Sequence, residues 1–277
     1  MQQMAAKRSP RGQVEHPEQN YDLAAGVGEE RLARSARDIL VTSVIGGIEV
    51  ALGAVAAMTV LGAALDASPS LRLYGGLALA GVAFPIGFLF VIMGRSELFT
   101  ENFLLPVAAV LERRRPLLTL PRLYGLAWLG NIIGCAAMAL LLQLPGAVGE
   151  PLHRGYAAYS DYKLSVAPLG VFVSAILAGM TMTVMTWLLV AVRDVLARIL
   201  VIWSTGFLIF ATNFSHAIVG AAILFAGFHD AHRSLASVLL WLVITTCGNA
   251  VGGIGLVAFG RTVQVRVKRQ DRGEDAA

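Results

Sequence analysis

Charged residues are scarce in this chain of 277 amino acids: Asp, Glu, Lys and Arg make up 14% of it, while 56% of the residues are apolar. A soluble globular domain carries about 25% charged residues, so this chain lacks the polar surface that covers a globule in water. That shortage excludes a soluble enzyme, a disordered protein and a nucleic-acid-binding module. The only two cysteines, Cys135 and Cys247, lie inside apolar runs, which excludes a disulfide-stabilised scaffold. The composition therefore indicates an integral membrane protein.

Long apolar runs take the place of the missing charge. Crossing about 30 Å of hydrocarbon takes roughly 20 apolar residues. Five stretches contain no Asp, Glu, Lys or Arg, and a sixth is interrupted only by Glu49. The six predicted spans are residues 39–65, 73–94, 123–149, 164–192, 199–228 and 234–260. We expect a disordered tail over 1–28, a transmembrane domain over 29–262 and a polar tail over 263–277.

The basic residues are distributed unevenly between the two sides of these spans. Of the 22 Lys and Arg residues, 17 lie on the side of the termini, four lie on the other side and Arg95 lies at membrane depth. Cytoplasmic loops of membrane proteins carry an excess of Lys and Arg. We therefore predict a multi-pass protein of the cell inner (plasma) membrane with both termini, and so both tails, in the cytoplasm.

The two halves of the chain repeat a short motif. Gly130-Asn131 is followed by Gly134, and Gly248-Asn249 is followed by Gly252, at an offset of 118 residues. Each half has three predicted crossings, so the second half must be inverted relative to the first. Inverted repeats are typical of transporters and channels, in which the permeant passes between the repeats. A second reading is that these glycines only form a small-residue packing surface.

Polar residues interrupt the middle segment of each half at membrane depth. The first interruption covers residues 94–102, and the second runs from Thr212 through Asn213 to His216. Non-helical backbone is tolerated inside a membrane only where it is buried in protein or lines a polar cavity. We therefore predict that helices 2 and 5 are broken and that the two breaks line the transport pathway.

Several motifs together resemble the formate/nitrite transporter family over residues 30–262. They are Glu97-Leu98-Phe99-Thr100, the two Gly-Asn-x-x-Gly pairs, and the buried histidine of the fifth span in register with Lys163. The resemblance implies an all-α, aquaporin-like fold of six transmembrane helices in two inverted three-helix repeats. It also implies a homopentamer in the lipid bilayer, in which each protomer encloses its own pore.

The resemblance also implies roles for individual residues. His216 matches the central pore histidine, Thr100 the threonine of the first broken helix, and Lys163 a lysine that places positive charge near the outer vestibule. Two further groups match the apolar part of the first loop and the hydrophobic constrictions. The full predicted pathway, with one polar residue of the second interruption, is His216, Thr100, Lys163, Leu98, Phe99, Phe88, Ile209, Phe210 and Asn213.

Five positions depart from the family pattern. Gly179 and Gly220 stand where the family usually has asparagines, and Ser215 stands where a glutamate commonly precedes the histidine. Arg95-Ser96 replaces the Gly-Ala that usually opens the first loop. These departures indicate a divergent branch and leave the substrate open.

The expected function is proton-linked passage of small monovalent anions or weak acids such as formate or nitrite. Small anions and protons are thus the expected partners, with no nucleic acid. No metal-ligand spacing, nucleophile–base pair or phosphate-binding loop occurs in the spans, so we expect no enzyme activity, no cofactor and no bound metal. Two alternatives stay open: a channel for neutral small solutes, and a membrane scaffold that transports nothing.

Overall fold

The computed structural model describes residues 16–67, 72–228 and 234–272, in which all regular structure is helical. The helices are α1 (Pro17–Ala33), α2 (Ala36–Ala67), α3 (Arg72–Ala83), α4 (Pro85–Gly94), α5 (Leu105–Leu111), α6 (Thr119–Leu142), α7 (Glu150–Ser165), α8 (Pro168–Ala191), α9 (Val195–Ala211), α10 (Ala217–Ala226), α11 (Leu235–Ala250) and α12 (Phe259–Asp271). A 3₁₀ turn, Phe99–Phe103, precedes α5, and a π-helical stretch, Val251–Ala258, joins α11 to α12. The fold is therefore all-α, as predicted.

Five helical segments are long and apolar enough to cross a membrane. They are Ala36–Ala67, Leu73–Gly94, Thr119–Leu142, Pro168–Ala191 and Leu235–Asp271. The predicted fifth span is occupied by two shorter apolar helices, α9 and α10, with the polar segment 212–216 between them. The predicted spans 1, 2, 3, 4 and 6 thus coincide with long helices, and the count of six crossings stays a prediction.

The expected tail over residues 1–28 is wrong for its second half. Residues 17–33 form α1, which begins at Pro17 and buries Tyr21, Ala24 and Ala25. The hydroxyl of Tyr21 hydrogen-bonds that of Thr262 on α12 at 2.8 Å. The low hydropathy of this stretch hid the helix, because its buried residues include Glu18, Asn20 and small residues, and Leu32 is their one large aliphatic side chain. Residues 1–15 and 273–277 lie outside the described residues.

The repeat predicted from the two Gly-Asn motifs is visible in the packing of α2 on α6 and of α8 on α11. Gly47 of α2 lies against the backbone carbonyl of Asn131, and Gly179 of α8 lies against that of Asn249: a Cβ atom added at either glycine would fall 2.2 or 2.1 Å from the carbonyl oxygen. Gly179 lies 132 residues after Gly47, and Asn249 lies 118 residues after Asn131, so equivalent residues of the two halves make the two contacts. Backbones approach this closely only where the side chains are small.

The short helices α1 and α7 occupy opposite ends of the molecule. Helix α7 packs on the C-terminal half of α2, where Gly62 meets Pro151 and Gly155 meets Met58. Helix α1 precedes the N-terminus of α2 and packs on α5 and α12. We name these two ends the α1 face and the α7 face. Since α1 and α7 are 132 residues apart and head equivalent helices, the second half is inverted relative to the first.

Candidate functional site

Two polar segments, residues 95–102 and 212–216, meet in the interior through Thr100 and His216, and we call them the first and the second loop. The preceding helices, α4 and α9, end in the same way, because Arg95 and Asn213 both adopt left-handed backbone with φ of 61° and 58°. After each of these residues the next N–H bonds a carbonyl five residues back, Ser96 to Val91 and Phe214 to Ile209. A left-handed residue lets the chain leave a helix while the last carbonyls stay bonded.

One asparagine from the neighbouring long helix holds each loop. Asn131 accepts a hydrogen bond from the N–H of Phe99 at 2.9 Å and donates to the carbonyls of Ser43 and Glu97, both at 2.8 Å. Its side chain therefore joins the first loop to α2. Asn131 is fully buried, so its bonds replace contacts that water cannot make there.

Asn249 repeats this arrangement in the second half. It accepts from the N–H of Ala217 at 2.9 Å and donates to the carbonyls of Ala175 and Ser215 at 2.8 and 2.9 Å. The Gly-Asn-x-x-Gly motif is therefore both a packing surface and a loop holder: its glycines admit the neighbouring backbone, and its asparagine satisfies the polar groups of the loop.

His216 and Thr100 join the two loops at the centre. The Nε2 atom of His216 lies 2.8 Å from Oγ1 of Thr100, and both residues are buried. His216 also caps α10, since its Nδ1 accepts from the N–H of Val219 at 3.2 Å. An accepting Nδ1 carries no proton, so the neutral ring has its proton on Nε2 and donates it to Thr100. The threonine hydroxyl then keeps its own proton to donate to another group.

Aromatic rings form an apolar wall beside this pair. The ring of Phe88 lies 5.7 Å from the His216 ring, and Phe84 packs against Phe88 at 5.0 Å and stacks on Phe210 at 4.9 Å. Tyr159 stacks on the far side of Phe210. The structure thus brings the predicted Phe88 and Phe210 together, and it adds Phe84 and Tyr159, which the sequence analysis missed. Phe84 had a detectable signal, because it lies one helical turn before Phe88.

The other predicted apolar residues are placed less uniformly. Leu98 and Ile209 are fully or almost fully buried. Phe99 packs edge-on against Phe103 and Tyr124, in a second aromatic cluster. Among the described residues, no ring contact joins this cluster to the wall around Phe88. The structure therefore places the Phe99 ring beside α6 and its backbone beside Asn131.

Lys163 approaches the second loop from the α7 face. It lies near the end of α7, which is outside the five long apolar segments, and its side chain is buried. Its ammonium group donates to the carbonyl of Asn213 at 2.6 Å and to Ser215 Oγ at 3.3 Å, and it lies 5.5 Å from the Tyr159 ring centre. Burial lowers the pKa of Lys163 to about 7. In the part of the chain that the structure describes, no carboxylate pairs with this lysine.

Arg31 approaches the first loop from the α1 face, which the sequence analysis did not foresee. Its guanidinium contacts Glu101 at 2.7 Å, Asn102 at 2.8 Å and Glu97 at 3.2 Å, and Arg34 pairs with the other oxygen of Glu97. Burial acts to lower the pKa of Arg31, but the charges of Glu101 and Glu97 outweigh it and raise that pKa. Nothing in the sequence distinguishes Arg31 from the other arginines near the N-terminus.

A cavity of about 730 Å³ opens beside this ion-pair cluster on the α1 face. Helix α1, the first loop and the end of α8 form its walls. Its charged lining residues are Glu30, Arg31, Arg34, Asp38, Arg95, Glu97, Glu101, Arg193 and Arg198. The cavity is therefore polar and mixed in charge, which suits an aqueous vestibule.

The two glycines that depart from the family pattern are tightly packed. Gly179 contacts the backbone of Asn249, as described above. At Gly220, an added Cβ would fall 2.0 Å from the Trp241 ring. The repeat counterparts of this glycine and tryptophan, 118 residues earlier, are Asn102 and Leu123. The second half therefore has a small and a large residue at the two repeat positions where the first half has residues of medium size.

Known proteins are similar to this chain over most of its length. The family model described as formate/nitrite transporter matches residues 18–263. The chain is 27% identical to the inner membrane protein YfdC of Escherichia coli (strain K12), over 86% of this chain and 76% of that protein. It is also 27% identical to the nitrite transporter NirC of Salmonella typhimurium, over 79% of this chain and 80% of that protein.

Solved structures share the fold. A channel described as an FNT family ion channel superimposes with a TM-score of 0.78 at 21% identity, over 89% of this chain and 98% of that chain. A pentameric formate channel with formate bound superimposes with a TM-score of 0.67 at 19% identity, over 82% of this chain and 96% of that chain. The fold that the described residues adopt is therefore that of membrane channels.

Proposed function

Because the chain belongs to the formate/nitrite transporter family, we propose that it conducts small monovalent anions such as formate or nitrite through a pore in each protomer. The observation that carries this proposal is the hydrogen bond between Thr100 and His216, which joins the two buried loops beside an apolar wall. The chain is a multi-pass membrane transport protein. We place it in the cell inner membrane as a homopentamer with both termini in the cytoplasm, which makes the α1 face cytoplasmic and the α7 face external.

The first step is capture of the anion on the α7 face. Lys163 supplies a cation there, and its bonded partners among the described residues are a carbonyl and a hydroxyl. A cation without a paired carboxylate attracts anions, and low-dielectric surroundings strengthen that attraction. The same charge stabilises the ionised form of a weak acid at close range, so Lys163 serves capture rather than protonation.

The second step is passage of the aromatic wall. Moving a bare anion past Phe88 and Phe210 costs several kcal/mol, because apolar side chains cannot replace the hydrogen bonds of its hydration water. Desolvation raises the pKa of the anion and favours its neutral acid, which crosses at lower cost. Thr100 donates a hydrogen bond to the permeant. The proton that the anion takes up comes from the bulk solution on the side of entry, by way of water near His216, and the neutral acid releases it to the solution on the far side.

His216 contributes hydrogen bonding rather than a stored proton. Protonating its ring would put a second N–H at Nδ1, directly opposite the Val219 N–H that this nitrogen now accepts. The cap of α10 would then be lost, and two donors would face each other in a buried site. The neutral ring avoids that cost and keeps Thr100 oriented.

Uptake into proteoliposomes that hold a pH-sensitive dye tests this function. We expect saturable, pH-dependent uptake of formate and nitrite by the wild type, and a loss of about 100-fold in His216→Phe, which removes the hydrogen bond to Thr100. His216→Asn should retain part of the flux, since an amide can still donate. His153→Asn on α7 is the matched control and should behave as the wild type.

Three results would contradict the proposal. Uptake of a neutral solute with no competition by anions would indicate a neutral-solute channel. Absence of flux for every small weak acid, from protein shown to be folded and oligomeric, would indicate a scaffold. Survival of full flux and pH dependence in His216→Phe would remove His216 from the pathway.

A further inference from the structure

Arg31 and Lys163 occupy the same place in the two halves of the chain. They are 132 residues apart, the same offset that relates Gly47 to Gly179. Each lies near the end of a short helix, α1 or α7, that packs at one end of the molecule. Each reaches the polar loop of its own half. Arg31 contacts Glu97, and Lys163 contacts Ser215, which is the repeat counterpart of Glu97. The internal repeat therefore places one cation at each mouth.

The partners of the two cations differ. Arg31 meets two carboxylates, Glu97 and Glu101, whose counterparts 118 residues later are Ser215 and Val219. Both carboxylates are buried, and Arg34 adds a second cation at Glu97. The charge of Arg31 is therefore balanced by carboxylates, whereas no carboxylate in the described part of the chain pairs with Lys163. A balanced cation gives little attraction to an incoming anion.

The bonds of Arg31 surround Thr100. Glu97 precedes Thr100 by three residues, and Glu101 and Asn102 follow it directly. The Asn102 side chain also donates to Glu97 at 2.5 Å, which closes a ring of polar contacts around the 3₁₀ turn that begins at Phe99. A planar guanidinium that donates to three separate acceptors fixes them in direction as well as distance. The position of the threonine hydroxyl is thus set by contacts made at the mouth on the α1 face.

We propose that Arg31 is a positioning residue, which holds Thr100 against His216 through Glu97, Glu101 and Asn102 and takes no part in anion capture. This inference rests on the proposed function, because it assigns the division of work between the two mouths of the same pathway. Capture belongs to Lys163, and alignment of the central hydrogen bond belongs to Arg31.

Kinetics of uptake separates positioning from capture. For Arg31→Gln we expect about a tenfold lower maximal rate per folded protomer with an unchanged KM for the anion, because misplacement of a contact group slows passage without weakening capture. Arg31→Lys should recover part of the rate. Lys163→Gln should show the opposite pattern, a higher KM with a smaller change in maximal rate.

The matched control is Arg269→Gln. Arg269 of α12 pairs with Asp22 of α1 and with Glu112, so its loss loosens α1 without touching the first loop. We expect wild-type kinetics from this variant. An equal loss of rate in Arg269→Gln would show that only the anchoring of α1 matters, and a raised KM in Arg31→Gln would make Arg31 a capture residue. Either result overturns the proposal.

Hydrogen–deuterium exchange tests the positioning without any transport. Arg31→Gln should speed exchange in a peptide covering residues 97–103 and leave a peptide covering 214–219 unchanged. Arg269→Gln should change neither peptide. Unchanged exchange in 97–103 would overturn the positioning role even in a functional transporter. Faster exchange in Arg31→Gln, when the wild type moves no anion, would instead leave the positioning role of Arg31 standing and refute the proposed function.

Discussion

The two polar loops begin with the same backbone turn but differ in the charged groups around them. Each follows a left-handed helix end, at Arg95 or Asn213, and each is held by a buried asparagine from a long helix. The first loop carries Glu97 and Glu101 against Arg31, while the second carries no carboxylate against Lys163. The turn that begins each loop and the charges around that loop are therefore set independently. Glycine and asparagine build the loops, and the side chains around them give each mouth its task.

The largest effect is expected at Gly47 and Gly179, where two helix backbones pack closely because the glycines have no side chain. Gly47→Ala and Gly179→Ala each drive a Cβ into a backbone carbonyl, at 2.2 and 2.1 Å. Neither variant should yield folded protein, and no second side-chain substitution should rescue it, because the obstacle is backbone. Gel filtration and thermal melting in detergent measure this. Gly125→Ala, with nothing within 4 Å, is the control and should be stable; folded Gly179→Ala would refute the close packing.

Gly220 offers a contrasting case, because its obstacle is a side chain. Gly220→Asn alone should fail to fold, since the Trp241 ring occupies the required space. The double variant Gly220→Asn with Trp241→Leu recreates the pair Asn102 and Leu123 of the first half and should fold again. The same melting assay decides the matter. Failure of the double variant where Trp241→Leu alone is stable would show that the two halves are not interchangeable here.

Loss of either loop-holding asparagine should cost a similar amount in both halves. Asn131→Ala and Asn249→Ala each remove three buried hydrogen bonds and leave backbone groups unpaired, so each should lower the free energy of unfolding by about 3 kcal/mol. Denaturant titration in detergent measures this, with Asn→Asp variants to show that shape alone does not suffice. A large difference between the two alanine variants would break the proposed equivalence.

Making the second loop resemble the first should alter kinetics without unfolding the protein. Ser215→Glu places a carboxylate beside the Lys163 ammonium, as Glu97 lies beside Arg31. We expect the KM for formate or nitrite supplied on the α7 face to rise about tenfold, because the capturing charge is neutralised. Ser215→Gln is the matched neutral control. An equal KM in the glutamate and glutamine variants would separate Lys163 from capture.

The smallest effect concerns pH. Because burial lowers the pKa of Lys163 to about 7, the ammonium is charged below that pH and neutral above it. Tyr159, whose ring centre lies 5.5 Å from the ammonium group, has its pKa raised by burial and is not anionic in this range. The KM for nitrite should therefore rise a few-fold between about pH 6 and pH 8. Lys163→Arg stays charged and should give a flat profile; a wild-type slope in that variant would refute the assignment.

Residue patterns predicted the parts of the site that membrane physics makes conspicuous. A histidine and a run of polar residues inside apolar spans are expensive, so Thr100 and His216 stood out. The spacing of the Gly-Asn motifs predicted the repeat, and the polar residues that interrupt the apolar runs predicted the location of both loops. Phe84 and Tyr159 escaped notice, because an aromatic residue in an apolar segment is ordinary. Arg31 escaped because a cation outside the membrane carries no such cost.

The sequence by itself determined that this chain crosses a membrane, that its two halves repeat, and where their polar loops lie, because each of these follows from hydropathy and spacing along the chain. Tertiary structure alone decided which distant groups meet. It put Thr100 on His216 across 116 residues, and it put Arg31 on Glu97 and Glu101 through a helix that looked like a tail. Local sequence records the cost of burying a polar group, whereas the partner that offsets the cost is chosen only when the helices pack.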